Sequence, residues 1–144
     1  MDQIVLDGDF VKFDPIFAPA IVIVQPARIR ASGEPADRGN VRKMCVQGDE
    51  RSVIVPGCTY TSPPFTNPGM GTLTIEVLSP MSAARKTQSA RRPVLLKGQR
   101  FVARFTVNMA ATMVTGNGVP MPDPRPFYQG AGSFECTPPF VHGE

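Results

Sequence analysis

Apolar and polar positions alternate with period two along much of this chain. In residues 72–77, Leu73, Ile75 and Val77 fall on one face and Thr72, Thr74 and Glu76 on the other. In 101–107, Phe101, Ala103, Phe105 and Val107 point one way. This is the signature of half-buried strands, because successive side chains on a strand face opposite sides. Shorter strands are predicted at 10–13, 21–24, 41–46, 53–55 and 94–97. Gly48-Asp49, Pro56-Gly57, Asn67-Pro68-Gly69 and Lys97-Gly98 separate them as turns. The segment 80–90 reads as a short helix or a basic loop. Cys45-Val46-Gln47-Gly48-Asp49 and Leu95-Leu96-Lys97-Gly98-Gln99 echo one another as strand, glycine turn, strand.

The expected fold class is mainly β: a compact cone- or prism-like domain of short hairpin strands. Sixteen prolines and 13 glycines in 144 residues argue against long helices. They are dispersed among apolar runs, which favours a turn-rich β domain over a disordered chain. One domain is expected, with a β-rich core at 1–116. From 117 to 144 the prolines at 120, 122, 124 and 126 predict an irregular segment, packed on the core through Phe127, Tyr128, Phe134 and Phe140. Phe10, Phe13 and Phe17 are read as core anchors, and Tyr60 and Tyr128 as half-buried with wet hydroxyls.

The longest apolar run, 20–24, is too short to span a bilayer. The Met1-Asp2-Gln3 start shows no signal peptide, so a cytoplasmic start with reduced thiols is expected. The net charge of +3 is uneven. Basic residues crowd 81–104, including Arg85, Lys86, Arg91 and Arg92, an asymmetry that either steers docking to an acidic partner or belongs to solvated loops. Those residues lack interleaved aromatics and the chain has no Trp, which argues against nucleic acid.

Chemistry-bearing residues are few. Cys45, Cys58, Cys136 and His142 supply the ligand types of a closed Cys₃His site for zinc or iron. Their gaps of 12, 77 and 5 residues contain no C-x-x-C knuckle. Buried free thiols, or one disulfide with a thiol left over, remain alternatives. Cys58 with His142 could form a nucleophile and base. However, there is no G-x-S-x-G, H-E-x-x-H, P-loop or dinucleotide fingerprint. Asp49 and Glu50 would point to opposite faces of a strand or be solvated in a turn. The reading is that the chain is not an enzyme and has no small-molecule substrate.

The run 92–101, Arg-Pro-Val-Leu-Leu-Lys-Gly-Gln-Arg-Phe, resembles the G-K-P-V-x-L-K strand and turn of PAAR-like spike-tip proteins of contractile injection systems. Residues 33–40 are similar to the Pro-Ala-Ala-Arg signature, with Asp37 in place of the second Ala, and Val46-Gln47-Gly48-Asp49 suits the family's glycine turns. Type VI secretion machines and contractile phage tails carry such tips. The resemblance implies a small conical β fold whose base caps a trimeric central spike or baseplate hub, with Arg85, Lys86, Arg91 and Arg92 as candidates for that contact, and whose apex meets the target cell envelope transiently. It implies assembly in the bacterial cytoplasm and residence on a virion tail baseplate or injection particle. It also implies a metal near the apex, for which Cys45, Cys58, Cys136 and His142 are the available ligands. The alternative is another virion structural protein: a capsid decoration protein, a tail adaptor or a baseplate accessory protein.

Overall fold

A computed structural model describes residues 2–37, 40–79, 82–89, 91–98, 100–136 and 142–143. Its strands are β1 (Asp2–Gln3), β2 (Phe10–Phe13), β3 (Ile16–Phe17), β4 (Ala20–Val22), β5 (Ala27–Arg28), β6 (Pro35–Asp37), β7 (Asn40–Lys43) and β8 (Ile54–Ser62). They continue as β9 (Phe65–Val77), β10 (Ala83–Ser89), β11 (Arg92–Leu95), β12 (Phe101–Met109), β13 (Thr112–Val114), β14 (Pro120–Pro122), β15 (Phe127–Glu135) and β16 (His142–Gly143). One 3-10 turn, Asp49–Ser52, follows Gly48.

The two segments with the clearest alternation lie side by side. Leu73 of β9 sits opposite Phe105 of β12, and both are fully buried. The antiparallel sheet runs β4-β8-β9-β12-β15-β2. Its two ends are joined by the chain itself. β2 pairs with β15, and the Asp14 amide extends that ladder to the Ala131 carbonyl at 2.8 Å. Two residues later β3 pairs with β4. One bent strand thus closes the sheet into a six-stranded barrel, which leaves no edge open along its wall. Three hairpins build it: β2/β3 with β4/β5, β8 with β9, and β12 with β15. Inward positions fill the lumen with Val11, Phe17, Val22, Tyr60, Leu73, Phe101, Phe105 and Phe134. The Tyr60 and Phe105 rings meet edge to face at 5.1 Å.

Several expectations change here. Residues 83–89 are strand and not helix, because β10 pairs with β11. The segment after 116 is not irregular throughout. It supplies β14 and β15, and β15 lies between β12 and β2 inside the barrel wall. Pro120 and Pro122 lie on β14, which pairs only with the short β13, and Pro124 and Pro126 lie in the loop before β15, where no ladder donor is needed. Residues 137–141, including Phe140, lie outside the described residues. Tyr60 and Tyr128 are buried, and their hydroxyls are not wet. Both bond the buried Asp123 carboxylate, Tyr60 at 3.0 Å. The Tyr60 hydroxyl also accepts the Ala111 amide at 2.9 Å. Asp123 thereby fastens the 110–126 excursion across one end of the barrel. Phe13 and Phe17 are core anchors as expected, while Phe10 is part-exposed with the Arg28 guanidinium 4.7 Å over its ring.

Candidate functional site

The opposite end of the barrel is closed by a ring of three short extended segments. They are Ile4-Val5-Leu6, Met44-Cys45-Val46 and Val94-Leu95-Leu96, each followed by a residue and then glycine. The Val5 amide donates to the Leu95 carbonyl (2.9 Å), the Cys45 amide to Val5 (2.9 Å) and the Leu95 amide to Cys45 (2.8 Å). An outer set repeats the cycle. Asp7 donates to Lys43, Gln47 to Pro93 and Lys97 to Gln3, all at 2.8 Å. The bridges Leu6 to Met44, Val46 to Val94 and Leu96 to Ile4 follow the same rotation. One chain therefore arranges its backbone about a pseudo-threefold axis.

Side chains obey the same rule. Val5, Cys45 and Leu95 point into the barrel core. Ile4, Leu6, Val46, Val94 and Leu96 point the other way and form a second core with Ala84 of β10 and the part-buried Met44. Alternation forces this division, since odd and even positions of an extended segment face opposite sides. Three two-stranded ribbons, β16-β1, β6-β7 and β10-β11, lead into the three segments. The three barrel hairpins lead out of them.

The exit turns share one chemistry. Gly8, Gly48 and Gly98 all hold positive φ, at 83°, 106° and 54°, which an L side chain adopts only with strain. Asp9 accepts the Leu6 amide and Asp49 the Val46 amide, each at 2.8 Å. Both carboxylates are buried, so Asp49 is not the solvated turn residue expected. It also accepts the Ser32 amide (2.9 Å) and hydroxyl (2.6 Å). Arg42 and Arg92 occupy matching positions one segment later. Arg42 donates to the Asp7 carbonyl (3.0 Å) and pairs with the Asp9 carboxylate. Arg92 donates to the Gln47 carbonyl (3.3 Å) and the Ser32 hydroxyl oxygen (3.0 Å). Arg92 therefore serves the ring itself. Arg85, Lys86 and Arg91 remain exposed on the β10-β11 ribbon.

The proposed metal ligands are dispersed through this frame. Cys45 lies in the ring, Cys58 on β8 facing the barrel core, and Cys136 just past β15, half-buried. The Cys58 thiol contacts the Val55 carbonyl at 3.6 Å, and that of Cys136 the Ile4 carbonyl at 3.8 Å. None of the three is in a disulfide. Burial pushes the Cys45 thiol pKa strongly upward, with the Asp49, Asp9 and Asp7 carboxylates adding to the rise. Burial also raises Cys58. Among the described residues no group of three or more His, Cys, Asp or Glu side chains is placed to hold a metal. His142 pairs through its backbone with Gln3, and its side chain lies outside the described residues.

Reading the sequence as two echoing segments missed the third, Val5-Leu6-Asp7-Gly8-Asp9. The available signal was an apolar triplet, one residue and a glycine, recurring after 40 and then 50 residues. In comparison with known families, the chain matches the one described as Contractile injection system spike tip protein over residues 1–144. No curated protein matches it.

Proposed function

Because this chain belongs to the contractile injection system spike tip family, we propose that it caps the trimeric central spike as a single copy and leads it into the target envelope. The observation that carries this reading is the cyclic hydrogen bonding of Val5, Cys45 and Leu95. A monomer seated on a threefold end must present three similar surfaces, or two of the three spike subunits meet nothing complementary. Three ribbons, three glycine turns and three hairpins about one axis meet that demand within one chain. A decoration or adaptor protein has no need of internal threefold pseudo-symmetry.

The same build suits mechanical loading. A closed barrel, two cores on either side of a hydrogen-bonded ring and buried Asp9, Asp49 and Asp123 tying turns and excursion to it leave little to shear. A non-enzymatic, structural role accords with the family. The polar groups of the ring are spent on one another, and a catalytic pair is not among them.

The test is native mass spectrometry of this chain mixed with the trimeric spike protein of its own injection system. We expect one copy per spike trimer. Three copies per trimer, or no association, would overturn the reading.

A further inference from the structure

Charge is segregated along the pseudo-threefold axis. Of all Lys, Arg, Asp and Glu residues, only Asp123 and Arg125 fall within 15–27, 52–75 and 105–134. Those three segments make up most of the three barrel hairpins, whose turns at 18–19, 63–64 and 110–126 lie at the end away from the ring. Asp123 is buried and bonded to Tyr60 and Tyr128. Arg125 lies over the Tyr128 ring at 5.0 Å. Among the described residues, ten of the twelve exposed large hydrophobics belong to the same segments. Ile16 (57%), Ile21 (52%), Met109 (64%), Val114 (65%), Val119 (61%) and Met121 (46%) are the most pertinent, since they flank the turns or the β13-β14 hairpin. The ribbon end is the reverse, with Lys43, Arg85, Lys86 and Arg91 exposed and its hydrophobics sealed in the second core.

We infer that the uncharged hairpin end, and not the basic ribbon end, is the face that seats on the spike trimer. This assignment rests on the capping reading above. Contiguous exposed apolar area marks an interface, and here the named residues come from the first and third hairpins, with Met70 of β9 (41%) on the second. Area decides between chemistries. Six strands about 4.8 Å apart and tilted about 40° give a backbone radius of about 6 Å. Side chains extend the end to a disc of about 450 Å², so docking buries about 900 Å² in total. That lies just below the roughly 1,000 Å² of a specific interface. A contact so small that must survive firing needs a desolvated, apolar centre, as permanent interfaces have. The hairpin end offers one. The ribbon end would bury exposed cations, at a cost in affinity. The occupant is accordingly the apolar, threefold tip of the spike, and the charged ribbons face outward to water.

The experiment uses the full chain and its cognate spike trimer. Single substitutions Ile21→Asp, Met109→Asp and Val114→Asp on the hairpin end are compared with Lys43→Glu and Arg85→Glu on the ribbons. All five sites are exposed, and unchanged melting temperatures confirm intact folds. We expect the apolar-to-Asp variants to weaken spike binding at least tenfold each and the ribbon variants less than twofold. A photo-crosslinker at Val114 should capture spike, and one at Arg85 should not. Loss of binding from the ribbon variants with the hairpin variants neutral would overturn the assignment. So would crosslinking from Arg85 alone. Failure of the unaltered chain to bind the trimer would instead remove the capping reading, leaving the two failures distinguishable.

Discussion

Asp49→Ala is the sharpest test of the ring. The carboxylate is 8% exposed and accepts three hydrogen bonds: the Val46 amide at 2.8 Å, the Ser32 amide at 2.9 Å and the Ser32 hydroxyl at 2.6 Å. Val46 is fully buried, so its amide cannot turn to water once Asp49 is gone. A stranded buried donor costs about 1–3 kcal/mol. Ser32 is exposed and recovers water, so its two bonds add about 1 kcal/mol together. The expected loss is about 2–4 kcal/mol. Unfolding entropy of about 2.1 cal/mol/K per residue gives about 0.3 kcal/mol/K for a chain of this length. The melting temperature should therefore fall by about 7–13 °C in calorimetry. Glu50→Ala is the control. Its side chain accepts the part-buried Gly48 amide at 2.7 Å, and the substitution should cost less than about 1 kcal/mol. If Asp49→Ala moves the transition by less than about 2 °C, the carboxylate is a solvated turn residue and the reasoning is refuted.

Other outcomes follow from the same geometry. Gly8→Ala meets no atom within 4 Å but must hold φ of 83°, so backbone strain alone should cost about 1–2 kcal/mol in a urea titration. Gly69→Ala should cost more than Gly8→Ala, because its Cβ would sit 2.3 Å from the Met109 carbonyl oxygen and 2.4 Å from the Ala111 nitrogen; equal losses would refute this packing of β9 on β12. Burial, with the Asp123 carboxylate adding, lifts Tyr60 to about 12 and raises Tyr128 as well. The folded state holds these protons more tightly, so stability is intact below the unfolded value of about 10 and falls as pH rises from there to about 12. The slope from Tyr60 should reach about 1 kcal/mol per pH unit near pH 11, and Tyr60→Phe should reduce it; denaturant titrations across pH 8–11.5 would reveal a level profile if the reasoning fails. Elemental analysis checks the metal: the dispersed thiols predict less than stoichiometric zinc or iron, and about one ion per chain would restore the site at Cys45, Cys58, Cys136 and His142.

The sequence by itself determined what local chemistry writes into side chains. Alternation at 72–77 and 101–107 marked β9 and β12, since burying one face requires period two. Glycine marked the turns at Gly48 and Gly98, which do need positive φ. The resemblance around 92–101 reached the spike-tip family.

Only the tertiary structure decided the rest. The ring at Val5, Cys45 and Leu95 is held by backbone amides and carbonyls from segments 40 and 50 residues apart, and the backbone is the same for every residue type. Residues 83–89 became strand because β11 lay alongside, a contact that outweighs local propensity. Asp49 and Asp123 read as loop carboxylates until the fold enclosed them with Val46, Tyr60 and Tyr128. Hydrophobic order is local and repeats along the chain, whereas closure, burial of charge and rotational symmetry exist only once distant segments meet.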